Sequence, residues 1–181
     1  MALKHVIIEG PDGSGKTHLK ESILDTFPSM LPHVRAADSL KGPKLDTLAN
    51  WVTDDLHELP NAGVSWVYDR HPIVSEPIYG WACRGGVPEM FAKSGWVNTV
   101  KMQLALQSLL VVCLPPLDRV IDNVKKSGNQ QMQGVVDNIE LIYGGYKHLK
   151  WPGAVLWYDY TTTFASHALS VIGSVTGRRG K

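Results

Sequence analysis

Three glycines, an acid, a lysine and two hydroxyls crowd into eight residues near the start of the chain, Gly10-Pro11-Asp12-Gly13-Ser14-Gly15-Lys16-Thr17. The spacing satisfies G-x-x-x-x-G-K-[ST], in which glycines let successive backbone amides turn inward and form a concave nest of N–H groups. Such a nest takes phosphate oxygens, and a helix beginning directly behind it adds partial positive charge. Lys16 is then placed to reach the β- and γ-oxygens of ATP, and the Thr17 hydroxyl to meet a Mg²⁺ ion. Gly10, Asp12, Gly13, Ser14, Gly15, Lys16 and Thr17 are the candidate phosphate-binding set. A chance glycine turn is the plain alternative, and the strand before and helix after the run argue against it.

A second polar run follows a predicted strand: Tyr68-Asp69-Arg70-His71, then Ser75, Glu76, Tyr79 and Arg84. An acid and an arginine at the carboxyl end of a parallel strand lie where bound phosphates would sit. An ordinary ion pair on an exposed turn would show the same two letters. Further on, Lys125-Lys126-Ser127-Gly128-Asn129-Gln130-Gln131 reads as a mobile loop over about 125–131. Its two lysines suit either a cationic clamp on phosphate or a solvated helix end.

The elements that must carry these residues alternate in type. Val6-Ile7-Ile8-Glu9 is a β-branched run suited to a strand buried on both faces, and Leu19, Ile23 and Phe27 then recur at helical spacing until Pro28. Val34–Ala37 is a weaker strand candidate. Leu45, Leu48, Trp51, Val52, Leu56 and Leu59 trace a helix closed by Pro60, and Val64–Tyr68 reads as a third strand. His71 to Leu106 is mostly helical, with breaks around Gly85–Pro88 and near Gly95. Leu109–Leu114 is a fourth strand, followed by one helix face at Leu117, Val120, Ile121 and Val124. Met132, Val136, Ile139, Tyr143 and Tyr146 trace another. Val155–Tyr158 is a last strand with Trp157 in the core, as Trp66 is in the third; Phe164–Val175 closes the chain, and 177–181 is expected to fray with its arginines in solvent. This order predicts an α/β protein: a three-layer arrangement with a central parallel sheet of about five strands and helices on both faces.

The 181 residues suit a single domain over 1–181. A net charge of +1 gives no footprint for a long polyanion, so nucleic acid is not expected as a partner, although a local basic groove is compatible with that total. Cys83 and Cys113 and the seven histidines show no disulfide or zinc spacing, which suits reduced thiols and a cytoplasmic location. The N-terminal apolar run is shorter than a signal-peptide core, and the longest apolar stretch falls short of a membrane span, so no membrane association is expected. A homodimer is compatible with the sequence without being required by it.

Taken together, the two polar segments resemble the thymidylate kinase branch of the P-loop nucleoside monophosphate kinases. That family carries I-E-G-x-D-G-x-G-K-T followed by D-R-[YH]…S…Y-x-G…R-G. This chain has Ile8-Glu9-Gly10-Pro11-Asp12-Gly13-Ser14-Gly15-Lys16-Thr17, then Asp69-Arg70-His71…Ser75…Tyr79-Gly80…Arg84-Gly85. The resemblance implies transfer of the γ-phosphate of ATP, with Mg²⁺, to a small nucleotide-like acceptor, a deoxynucleoside monophosphate. It puts Asp12 beside the acceptor sugar and Asp69 near the metal, with Thr17 as the other metal contact. Arg70 would lie on the acceptor phosphate, Ser75 or Glu76 at its base and Tyr79 at its sugar, while Arg84 matches the second arginine of the segment. It also implies that Gly13 goes with basic lid residues, here Lys125 and Lys126. Lys16, Asp69, Arg70, Lys125 and Lys126 would then be catalytic. A P-loop kinase acting on a hydroxyl of a nucleoside, modified base or DNA end, with Asp69 as general base, shares these motifs, as does a P-loop switch that hydrolyses its nucleotide to change shape.

Overall fold

The computed structural model of the chain describes residues 2–33, 45–58, 63–93, 95–127, 134–178 and 180. In chain order these form β1 (His5–Glu9), α1 (Lys16–Thr26), β2 (Met30–His33), α2 (Leu45–Glu58), β3 (Ser65–Asp69), α3 (Pro72–Arg84) and α4 (Glu89–Lys93). They continue as α5 (Gly95–Gln107), β4 (Ser108–Cys113), α6 (Leu117–Ser127), α7 (Ile139–Lys147), β5 (Ala154–Tyr158) and α8 (Ala165–Thr176).

The strands make one sheet in the order β2-β3-β1-β4-β5, and every neighbouring pair is parallel. β1 sits at its centre, with Ile8 opposite Asp69 on one side and Val111 on the other. This register brings the carboxyl ends of β1, β3 and β4 to one edge. Side chains alternate faces along each strand, so the core divides in two. Ile7, Tyr68, Leu110 and Val112 pack with α3, α5, α6 and α7. Val6, Ile8, Val67, Leu109 and Val111 pack with α1 and α8. The β-branched runs of β1 and β4 are buried throughout because both of their faces are covered.

Several expectations change. The strand expected at Val34–Ala37 lies outside the described residues; β2 is instead Met30–His33, where Pro32 is tolerated on an edge strand. Trp157 is not core: β5 is the opposite edge, and its indole is 49% exposed. Trp66 is half-buried, edge-on to the His33 ring. The helix expected from Met132 begins at Ile139, after a turn that leaves Val136 exposed. Met132 itself lies outside the described residues, as do 128–131 of the expected lid. The chain end does not fray at once. The Arg178 N–H donates to Gly173 O (2.8 Å), and its guanidinium donates to the hydroxyls of Ser65 and Ser29. Among the described residues no helix is long and apolar enough to cross a membrane.

Candidate functional site

The site begins where β1 ends. Gly10 turns the chain at φ +141, and an added Cβ there would lie 2.3 Å from the Cys113 carbonyl oxygen at the end of β4, so only glycine fits. Gly13, at φ +74, is under a second constraint: its missing Cβ would lie 2.9 Å from Asn123 Cβ, because α6 packs directly on the loop. Asn123 Nδ2 donates to Gly13 O (2.8 Å) and to the Tyr160 hydroxyl oxygen (3.0 Å), clamping the loop from outside.

Within the loop, Lys16 Nζ donates to the carbonyls of Gly10 (3.1 Å) and Pro11 (2.6 Å). Its burial, reinforced by the Arg70 guanidinium, lowers its pKa to about 8. Ser14 Oγ is buried with no hydrogen-bond partner among the described residues, and Thr17 is exposed in the first turn of α1. That buried hydroxyl, glycines at positive φ and a lysine resting on weak carbonyl acceptors are features a phosphate group would complete.

Arg70 is the hub. It leaves β3 with φ +68, the left-handed region that a side chain with a Cβ disfavours, and its N–H donates to Ile8 O (3.0 Å). Nη1 donates to Gly10 O (2.9 Å) and the Tyr146 hydroxyl oxygen (3.0 Å), and Nη2 to Asp12 Oδ1 (2.8 Å). The guanidinium lies 4.8 Å from the Tyr79 ring centre. The Tyr79 hydroxyl donates to the other Asp12 oxygen (2.7 Å). Burial pushes the Asp12 pKa up, but Arg70, Lys16 and Tyr79 outweigh it and hold this carboxyl below its usual value.

Beneath Arg70, Glu9 is fully buried and accepts from the His71 N–H (2.6 Å) and the Tyr146 hydroxyl (2.7 Å). Burial raises its pKa to about 7 against the pull of Arg70. The His71 ring, also buried, caps α3 by accepting from Ile73 N–H through Nδ1 and meets Asp55 Oδ2 of α2 through Nε2 at 2.7 Å.

The structure therefore gathers Gly10, Asp12, Lys16, Arg70 and Tyr79 into one hydrogen-bonded cluster. Gly13, Ser14, Gly15 and Thr17 belong to the same loop and helix start, and the remaining named residues have other partners or face solvent. Asp69 pairs with Lys20 (2.8 Å), one turn past Thr17 on α1. The Ser75 hydroxyl donates to the His71 carbonyl of its own helix (3.1 Å). Glu76, buried, pairs with Arg84 two turns on, and burial raises its pKa against that arginine. Lys125 and Lys126 are exposed in the last turn of α6. Glu9, Tyr146, Asn123, Tyr160 and Lys20 were not expected at the site. A carboxylate closing an apolar strand marked Glu9, whereas nothing local distinguishes Tyr146.

Thr17 and Asp69 offer a hydroxyl and a carboxylate. These hard oxygen donors fit Mg²⁺, which takes most of its shell from water and phosphate. The Asp69 carboxylate already holds one cation, the Lys20 ammonium. Among the described residues there is no cluster of three or more His, Cys, Asp or Glu that would hold a metal by itself.

A parallel sheet with its central strand feeding a glycine nest and helix, and an Asp-Arg pair on the adjacent strand, defines a P-loop kinase fold. Solved structures share it. The YorR protein of Bacillus subtilis, in complex with phosphorylated GDP, superposes with TM-score 0.67 at 11% identity over 96% of this chain and 95% of that one. Deoxyadenosine kinase from M. mycoides, with dCMP product and dCDP, gives 0.58 at 12% over 94% and 97%. The tunicamycin resistance protein of Deinococcus radiodurans gives 0.57 at 12% over 98% of each. At such identities the likeness is one of fold. No protein-family model and no curated protein sequence matches the chain.

Proposed function

We propose that this protein transfers the γ-phosphate of ATP, with Mg²⁺, to the phosphate of a deoxynucleoside monophosphate. The observation that carries the reading is Arg70. Its guanidinium is anchored on Gly10 O and Asp12 at the mouth of the loop, beside Lys16, so two cations flank the space where two phosphates would meet. In such a transfer an acceptor phosphate oxygen bonds to the γ-phosphorus as the bond to the β–γ bridging oxygen breaks, and ADP leaves. The acceptor oxygen is already anionic, so no base is required and catalysis is positioning plus charge neutralisation. Mg²⁺, when bound through Thr17 and Asp69, would neutralise the β- and γ-oxygens. Asp12 and Tyr79 would face the acceptor sugar, Lys125 and Lys126 would close over the phosphates, and Ser75, Glu76 and Arg84 would lie toward the base.

A hydroxyl acceptor is the second reading, favoured by the likeness to deoxyadenosine kinase. It needs a carboxylate free to take a proton. Asp12 is a poor base because its pKa is held down, and Asp69 is engaged by Lys20. Labelled ATP offered with a panel of nucleosides, monophosphates and DNA decides between them. Label is expected on deoxynucleoside monophosphates. Label on a nucleoside or DNA hydroxyl, with monophosphates untouched, would overturn the reading, and ATP hydrolysis with no labelled acceptor would favour a nucleotide switch.

A further inference from the structure

The Glu9 carboxylate has no part in the transfer described above, yet it restrains Arg70 from two directions. Through one oxygen it accepts from the His71 N–H (2.6 Å), fixing the peptide that follows Arg70, while Ile8 O accepts from the Arg70 N–H (3.0 Å). These bonds close the backbone around a residue held at φ +68, a conformation costing about 1–2 kcal/mol outside glycine. Through its other oxygen Glu9 accepts the Tyr146 proton (2.7 Å), and the same phenol oxygen accepts from Arg70 Nη1 (3.0 Å). One buried carboxylate thus fixes the backbone at Arg70 and, through a tyrosine, its guanidinium.

We infer that Glu9, acting through Tyr146 from α7, is a positioning residue for the Arg70 guanidinium, and that its anionic form is the one that holds that guanidinium over the loop. The inference rests on the reading of Arg70 as the acceptor-phosphate cation. The chemistry lies in the tyrosine. A phenol has one proton to give; while Glu9 is anionic that proton points to Glu9 and the lone pairs face Arg70. When Glu9 is protonated it no longer demands the phenol proton, which can then turn toward the guanidinium, where two donors oppose each other.

The ionisable groups around Glu9 come from every element packed on the end of β1. Among the described residues they include Arg70 and His71 beyond β3, Lys16 on α1, Cys113 ending β4, Tyr79 on α3 and Tyr146 on α7. Burial raises the Glu9 pKa to about 7 in spite of Arg70 and Lys16, so the neutral form grows as pH falls below 7. Acceptor binding should weaken over that range. The acceptor's own second phosphate ionisation near pH 6 adds to the effect equally in every variant.

The test compares the full-length protein with Glu9→Gln and Tyr146→Phe, using a deoxynucleoside monophosphate as acceptor and a fluorescent ATP analogue for equilibrium binding. The KM for the acceptor should rise about tenfold in both, and ATP-analogue affinity should change less than about twofold. Glu9→Gln should also lose the part of the acceptor KM rise below pH 7 that exceeds the ligand's own titration. Without any substrate, the Arg70 Nε–H resonance in ¹⁵N NMR should be sharp in the wild type and broadened in both variants. An unchanged Arg70 resonance and acceptor KM in either folded variant would overturn the inference. So would an equal loss of ATP affinity, which would mean that Glu9 merely holds the loop together. If Glu9→Gln does not fold, Tyr146→Phe alone decides. If the wild type phosphorylates no monophosphate, the functional reading fails, while the NMR comparison still decides whether Glu9 positions Arg70.

Discussion

Lys16 rests on two carbonyl oxygens of its own loop, in surroundings that lower its pKa to about 8. On the proposed function ATP would exchange those carbonyls for anionic phosphate oxygens, which favour the charged form, so the pKa should rise on binding. Binding near pH 8.5 should therefore take up a fraction of a proton, read by calorimetry in buffers of different ionisation enthalpy. Lys16→Met should bind without that uptake and lose kcat by about a hundredfold or more. Asp69 has a different signature. With the proposed anionic acceptor it would act through a bound metal, so Asp69→Asn should lower kcat about ten- to a hundredfold, with partial recovery when Mn²⁺ replaces Mg²⁺. A loss of equal size with every metal would point to proton transfer and to the hydroxyl reading.

At the scale of elements, α6 and α2 reach the site by different routes. α6 packs on Gly13 through Asn123 and carries Lys125 and Lys126 in its last turn, so movement of that turn is tied to the glycine loop. Replacing both lysines with alanine should lower kcat more than ATP affinity, because a clamp of this kind strengthens as charge shifts in the transition state. An unchanged kcat would leave these lysines as a solvated helix end. α2 reaches the site through Asp55, whose carboxylate meets the His71 ring with both groups buried. Removing one partner of such a pair leaves the other desolvated and poorly matched. Asp55→Ala should cost about 2–4 kcal/mol in urea denaturation, and Asp55→Asn distinctly less.

Across the whole molecule, stability should respond to pH through the centre of the sheet. His5 opens β1 with its ring buried; Nδ1 accepts from the Trp66 N–H (3.2 Å), and Nε2 has no partner among the described residues. Burial, with Lys4 and Arg178 nearby, lowers its pKa from 6.5 to about 4. Between those values the unfolded chain takes a proton that the folded one refuses, so stability falls as pH drops from 6.5 toward 4 and levels off below. Glu9 has the opposite sign: its pKa of about 7 lies above the ordinary 4.5, so the folded chain binds the extra proton over an overlapping range. The test is accordingly a difference. Relative to His5→Asn, which keeps an acceptor near Nδ1, the wild type should lose up to about 3 kcal/mol between pH 6.5 and 4 in chemical denaturation. A pH-independent difference would mean that the His5 proton is not excluded.

The sequence by itself determined the alternation of strands and helices, the glycine loop between β1 and α1, and the Asp-Arg pair at the end of β3. Each is a local property: a β-branched run, a backbone that only glycine can follow, two adjacent residues at a strand end. Tertiary structure decided the rest. Trp157 looked like core because its run is apolar, but which strand forms an edge is set by the order β2-β3-β1-β4-β5, and no single strand encodes that order. The contacts of Ser75 and Glu76 were likewise not legible: helical rotation and nearby partners give the Ser75 hydroxyl to His71 O and Glu76 to Arg84. Tyr146 is 76 residues from Arg70 and 137 from Glu9, yet its hydroxyl bonds to both, because α7 packs over the carboxyl end of the sheet. A hydrogen bond across such distances along the chain exists only once the layers have packed, and for that reason the glycine loop was legible residue by residue while the carboxylate and tyrosine beneath Arg70 were not.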